Sequence, residues 1–266
     1  MEFSGSQLTI LIVFAVIFLW GTVLTLAYLL QRRWSRRANW FFAATIGLMC
    51  LGLIRVGLYH TGAIAEQAKW YFLPVWFCLA FGPCLFYATK FRLFPAYRLR
   101  LTDLKHFVLP FLQLLFYVYF LFISSKSKTE IFETFVLGRY KFAEGILFLL
   151  TFFGYLFFAL RYVKFKQARV RLFQRTEALT ELRHWERMLK VVFVAALINF
   201  GYIITDFVAY NFFSTNLMNV WGFQFWSDLS YALFPLVLLY YGTRFLMPAA
   251  PANKAARQVP PQPAMR

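Results

Sequence analysis

The run Leu8-Thr9-Ile10-Leu11-Ile12-Val13-Phe14-Ala15-Val16-Ile17-Phe18-Leu19, closed further on by Gln31-Arg32-Arg33-Trp34-Ser35-Arg36-Arg37, decides the fold. The apolar part belongs to a segment at 7–30, and about 20 helical residues cross the ~30 Å hydrocarbon core of a bilayer. A strand of a membrane barrel would be a short segment alternating apolar and polar residues instead. The run is too long for a signal peptide and no basic residue precedes it, so it is expected to stay as a span. The basic cluster behind it is a cytoplasmic anchor.

Six more segments of the same kind follow, at 38–60, 70–90, 106–124, 140–162, 190–212 and 222–246. The chain is 61% hydrophobic and 15% charged, with a mean hydropathy of +0.59. Soluble domains carry ~25% charged residues, which excludes that class. The net charge of +17 is organised by the spans. Of the 28 Lys and Arg, 22 lie in the odd-numbered connections and the C-terminal segment, where Arg98, Lys164, Arg175 and Arg244 are examples. The other connections hold only Lys69, Lys126, Lys128, Arg139 and Lys141. The positive-inside rule turns that asymmetry into an orientation. The expectation is an all-α integral membrane protein, a seven-transmembrane-helix bundle with its N-terminus outside and its C-terminus cytoplasmic. Nucleic acid is therefore not expected as a direct partner; the lipid bilayer is.

Three features interrupt the regular pattern. Pro74 and Gly82-Pro83 fall within the third segment, which predicts a kink near Gly82. Leu172, Leu179, Leu182, Trp185 and Leu189 recur at helical spacing among charges, so 164–190 reads as a cytoplasmic amphipathic helix. It either extends the sixth span or lies on the headgroups, and Arg183, Trp185 and Arg187 are its candidate partner-binding residues. Residues 248–266 are rich in Ala and Pro and are expected to be a disordered cytoplasmic tail. Cys50, Cys78 and Cys84 fall inside spans and read as packing residues. Trp34, Trp40, Trp70, Tyr71, Trp221, Tyr240 and Tyr241 sit near span ends, where amphipathic rings anchor a bundle.

Ionisable groups inside spans carry most of the functional information, because burying them in lipid is costly. Arg55, Glu144, Asp206 and Asp228 are such groups, and the orientation puts all four in one outer layer; the aspartates are about 9 Å deep at 1.5 Å per residue. Asn199, Tyr202, Asp206 and Tyr210 share one helix face, as do Gln224, Asp228 and Tyr231, and also Glu144, Thr151 and Tyr155. One reading is a ligand-binding cavity open to the outside, formed by Arg55, Glu144, Asp206, Asp228 and Tyr202, that receives a cation, an amine or a proton. The other is a structural pair of Arg55 with one carboxylate while the remaining acids reach toward the interface.

Several chemistries are excluded. A retinal Schiff base needs a lysine within a span, and the seventh has none. Haem with two axial histidines needs a facing pair, whereas His60, His106 and His184 fall at different depths. Phosphate loops, zinc-protease helices and nucleophile elbows are missing from the sequence, and Asp206 and Asp228 lack the glycine-rich setting of an intramembrane protease. No enzymatic activity, no metal and no cofactor is expected.

The stretch from Phe72-Leu73-Pro74 to Phe81-Gly82-Pro83-Cys84-Leu85-Phe86-Tyr87, with Leu101 to His106-Phe107-Val108-Leu109-Pro110-Phe111, resembles the seven-helix sensory domain of Bacteroidetes membrane regulators that carry an AraC-type helix-turn-helix domain. The matching positions are Gly82, Pro83, Tyr87, His106, Phe107, Pro110 and Phe111; the basic segment after the first span and the region 177–189 with Trp185-x-x-Met-Leu are similar too. The resemblance covers roughly 7–246, and with only residues 247–266 after the seventh segment no DNA-binding or kinase domain is expected in this chain. It implies a bacterial inner-membrane sensory and signal-transduction protein acting through a separate cytoplasmic or membrane protein partner, or as a homodimer. The alternative is a non-catalytic membrane subunit or transporter-like scaffold of a larger complex.

Overall fold

The computed structural model describes residues 5–31, 36–172, 176–215, 217 and 220–246, and every regular element among them is helical. Helix α1 is Gly5–Leu30 and α2 is Arg36–His60. A short α3, Ala63–Glu66, and a 3-10 turn, Ala68–Phe72, precede α4, Cys78–Leu93. A second 3-10 turn, Leu101–Phe107, leads into α5, Val108–Leu121. Then come α6, Ser125–Ile131, a π-helix at Phe132–Tyr140, α7, Lys141–Leu172, α8, Thr176–Phe213, and α9, Trp221–Leu246.

Six helical stretches are long and apolar enough to cross a membrane: Gln7–Leu30, Arg36–His60, Leu101–Leu121, Phe142–Arg171, Ala178–Tyr210 and Gly222–Leu246. The chain is thus a helical membrane bundle with multiple spans. The exception among the expected segments is 70–90, which does not form one helix. Proline disfavours the helical conformation in the residue before it, and Leu73 is extended, with φ −62° and ψ 136°. Regular α-helix resumes only at Cys78 and then runs without a break through Gly82 and Pro83. The break in the helix thus follows Pro74, eight residues before the Gly82-Pro83 pair at which a kink is expected.

The shortened α4 occupies the centre. All of its 16 residues except Lys90 and Arg92 are buried. Around the bundle α1, α2, α4, α7, α8 and α9 pack each on the next, α9 closes on α1, and α2 also meets α9. Helix α5 packs on α4 from outside and leaves Phe111, Leu112, Leu115 and Tyr119 exposed, as a lipid-facing helix requires. Gly82 sets the spacing of α4 against α7: an added Cβ would come within 3.2 Å of the Phe152 Cα and 3.3 Å of the Thr151 carbonyl oxygen. With no water to drive helices together in lipid, such close backbone contacts through small residues are a main source of cohesion. Cys50, Cys78 and Cys84 are buried free thiols.

The two ends of the bundle differ. At the basic end one indole joins four helices. Trp185 of α8 donates from Nε1 to Thr89 Oγ1 of α4 at 3.1 Å and packs against Phe42 of α2 and Phe245 of α9. The Arg92 guanidinium lies 4.4 Å from the Trp185 ring centroid, and Tyr28 of α1 donates to the Gly242 carbonyl alongside. Outside this hub Asp103 accepts from the Tyr97 hydroxyl and the Arg100 N–H, and the first of these bonds holds the Tyr97 phenol above its ordinary value. The opposite end is capped by short elements: Ile64, Tyr71, Phe72, Phe120 and Val136 form a second apolar cluster there.

The segment 164–190 is not one helix, but its second part does extend the sixth expected span, in line with one of the two readings of the sequence. Its first part is the end of α7 and its second part the start of α8, tied by Gln167 Nε2 donating to Glu186 Oε2 at 2.7 Å, while Lys190 holds Glu186 from one turn along α8 at 2.6 Å. Trp40, Trp70 and Tyr240 are exposed as interfacial anchors, but Tyr71 and Tyr241 are buried, because both turn into aromatic clusters of the interior. Trp34 and the tail 248–266 lie outside the described residues.

Gly82→Ala is expected to destabilise the detergent-solubilised protein by about 1–3 kcal/mol in thermal unfolding, because backbone atoms cannot yield as a flexible side chain can. Gly154→Ala on the same α4–α7 flank, where an added Cβ meets nothing within 4 Å, is expected to be neutral or mildly stabilising. Equal melting of the two variants would contradict the close backbone contact.

Candidate functional site

The start of α4 lies inside the protein, and Cys78, Leu79 and Ala80 are all buried. A helix leaves its first N–H groups without intrahelical acceptors, so a buried start needs acceptors from elsewhere. Gln113 of α5 supplies one: its Oε1 accepts from the Leu79 N–H at 3.3 Å. Its amide nitrogen donates to Glu144 Oε1 at 2.6 Å and reaches Cys78 Sγ at 3.4 Å. Glu144, in the first turn of α7, also accepts from the Tyr140 hydroxyl at 3.1 Å, at the end of the π-helix. The carboxylate thus stands close to the positive end of the α4 dipole, a favourable position for an anion.

Arg55 completes the network from α2. Its Nη1 lies 4.0 Å from Glu144 Oε2 and donates to the Tyr117 hydroxyl at 3.0 Å. Its guanidinium lies over the Tyr71 ring at 4.0 Å and near the Trp76 ring at 5.1 Å. Arg55 and Glu144 are both only 6% exposed. Two unit charges 4 Å apart attract by about 4 kcal/mol at an effective dielectric of 20. Removing each from solvent costs several kcal/mol, so the attraction alone does not hold the pair. The aromatic faces and the neutral donors around it supply the difference.

The remaining acids lie elsewhere. Asp228 of α9 pairs with His60 of α2, Oδ2 to Nε2 at 2.8 Å, beside Phe14 of α1. Asp206 of α8 is half-buried, and its Oδ1 has no hydrogen-bond partner among the described residues. Tyr202 stacks edge-on with Phe223. The expected stripes also diverge: Asn199 donates to Ser230 Oγ, Tyr231 to the Met49 carbonyl, and Tyr155 bonds to His106. Three carboxylates do not converge on one guanidinium. Arg55 and Glu144 meet, Asp228 meets a histidine, and Asp206 joins neither pair. The Arg55 network is covered by the cap rather than open.

Trp185 cannot contact a partner, because it is 1% exposed in the hub; the register that seats it against Thr89 turns Arg183 and Arg187 outward, and both are exposed. Sequence reasoning missed Gln113, Tyr117 and Tyr140. A signal for them exists: Gln113 and Tyr117 are four residues apart in an otherwise apolar helix, and so are Tyr140 and Glu144, which puts each pair on one face.

The chain matches no protein-family model, no curated protein and no solved structure. The resemblance of the segment around Gly82 and His106 to a sensory bundle therefore rests on its residues alone.

Glu144→Gln is expected to cost about 3–5 kcal/mol, because it leaves the Arg55 charge buried without a counter-charge. Combining it with Arg55→Met is expected to recover most of that loss. A denaturant series in detergent on the two single variants and the double measures the coupling. A double variant no more stable than Glu144→Gln alone would sink the pairing.

Proposed function

We propose that the protein is a seven-span sensory and signal-transduction protein of the bacterial inner membrane, N-terminus outside, acting through a separate protein partner. In this orientation the cap faces out and the basic end faces the cytoplasm, with the short α4 as the third span in chain order, added to the six long ones. The observation that carries the reading is the Arg55–Glu144 network beneath the cap. A buried ion pair is a poor source of stability, since apolar residues of similar volume do as well or better. Here it joins α2, α5, α7 and the start of α4 just where the 68–72 turn and the π-helix close over them. A stimulus that moves the cap alters those contacts directly.

The output surface in this reading is the α7–α8 hairpin. At 1.5 Å per residue the 38 residues of α8 extend about 57 Å, well beyond the ~30 Å of a hydrocarbon core. Arg183 and Arg187 are exposed near its start, and Asp206 lies toward the capped end of the same helix. The second reading is a transporter-like scaffold or subunit, favoured by one observation: α4 begins late, after an irregular segment beside a buried charge, as discontinuous helices of transporters do.

The experiment is photo-crosslinking in native membranes from position 183 or 187. Signalling predicts an adduct with a kinase or transcription regulator whose yield changes about fivefold or more in Arg55→Met, the scale of an allosteric coupling. A stoichiometric adduct with an enzyme or secretion complex, unchanged by Arg55→Met, would refute signalling in favour of the scaffold. For orientation, a periplasm-dependent phosphatase fused after Lys128 is expected to be active, and one fused after Arg244 inactive.

A further inference from the structure

The flank between α4, the Leu101–Phe107 turn and α7 carries a groove of ≈ 380 Å³ that has no part in the Arg55 network. That volume lies within the range of small-molecule sites. Gly154 forms part of its floor, and a Cβ added there would meet nothing within 4 Å, so the space above α7 is open. Along α7 the groove runs from Leu150 past Phe158 to Tyr162, about 18 Å at 1.5 Å per residue. One leaflet of a ~30 Å hydrocarbon core is about 15 Å deep, so the groove matches the length of an acyl chain in a single leaflet. Leu150 is 68% exposed and Phe158 49%, which opens this wall to the side where lipid lies.

Polar groups are gathered toward the basic end of the groove. Lys90 reaches it from the last turn of α4, with its Nζ 3.7 Å from the Tyr97 ring centroid and 3.9 Å from Asp103 Oδ1. His106 lines it and meets the Tyr155 hydroxyl through Nδ1 at 2.9 Å. A second hollow of ≈ 370 Å³ shares Phe158 and Tyr162 with the first and adds the exposed Arg161. The two hollows adjoin along Phe158 and Tyr162, with Lys90 lining the first and Arg161 the second. Asp103 offsets part of the Lys90 charge but is itself occupied by Tyr97 and the Arg100 N–H.

The geometry points to a binding site for one anionic phospholipid of the leaflet at the basic end, its phosphate-bearing headgroup between Lys90 and Arg161 and an acyl chain laid over Gly154 toward Leu150. Charge complementarity selects the headgroup, and the length of the groove selects a membrane lipid over a free anion. Each basic side chain near a membrane surface adds about 1 kcal/mol of attraction for anionic lipid. The site rests on the chain being membrane-spanning and is independent of whether the protein signals.

The test is native mass spectrometry of the full chain in detergent, titrated with dioleoyl phosphatidylglycerol or with dioleoyl phosphatidylcholine, whose acyl chains are the same. The glycerol lipid is expected to be retained about tenfold more tightly, as two added basic contacts allow. Equal retention of the two lipids by the wild-type protein overturns the site, and that comparison needs no variant. Gly154→Leu is expected to melt as the wild type does but to bind phosphatidylglycerol no better than phosphatidylcholine. Lys90→Gln with Arg161→Gln is expected to remove the preference while leaving phosphatidylcholine retention unchanged. A Gly154→Leu protein that melts normally yet keeps the wild-type preference overturns the proposal. So does displacement of the lipid by an equal concentration of glycerol phosphate, which would mean a headgroup-only anion site.

Discussion

The buried start of α4 is the constraint on which the rest of the structure depends. Pro74 prevents the apolar run from beginning its helix at the membrane surface, so the exposed N–H groups of a first turn fall inside the bundle. Lipid offers them no acceptor, and each unmet group there costs several kcal/mol. Gln113 answers the Leu79 N–H, Glu144 answers Gln113, and Arg55 stands against Glu144. The polar network at the capped end is in this sense the completion of a helix terminus. It also fixes the lateral arrangement, because its members come from α2, α5 and α7.

The two ends of the bundle are built on different physics. The basic end is held by ring packing around Trp185, with one hydrogen bond to Thr89. A hydrogen bond between membrane helices contributes about 0.6 kcal/mol on average, whereas removing a tryptophan side chain from a packed core costs about 3–5 kcal/mol. Shape, more than polarity, fixes that end. The capped end depends on charges and hydroxyls whose contributions nearly cancel, so small displacements there change the balance most. The bundle is thus rigid at one end and near-degenerate at the other.

Much of this was legible in the sequence. The helical class, the alternating ends and the boundaries of α1, α2 and α9 follow from apolar run length and from where the basic residues fall. Arg55 and Glu144 announce themselves because a charge inside a span is rare. Their neutral partners do not: a glutamine or tyrosine in an apolar helix is common, and only its depth relative to another helix makes it a ligand for a carboxylate. Asp228 and His60 are 168 residues apart, and nothing local indicates that α2 and α9 meet. Trp185 reads as a partner-binding residue because amphipathic spacing tells which residues share a face but not what that face meets. The late start of α4 has a local signal in Pro74, which competes with an apolar run long enough to hide it.

The continuity of α8 has a mechanical consequence. Its deeply seated residues at the basic end begin at Trp185, followed by Met188, Leu189 and Val192, and Trp185 is nine residues from Thr176 and 21 from Asp206. A straight rod held there behaves as a lever with arms of about 13 Å and 31 Å. Sideways travel at the aspartate reappears at Thr176 reversed in direction and reduced to roughly two-fifths. An ångström at the long arm becomes a fraction of one at the short arm, with force raised in the same proportion. Such gearing favours a small, stiff displacement at the basic end over any wide opening of the bundle.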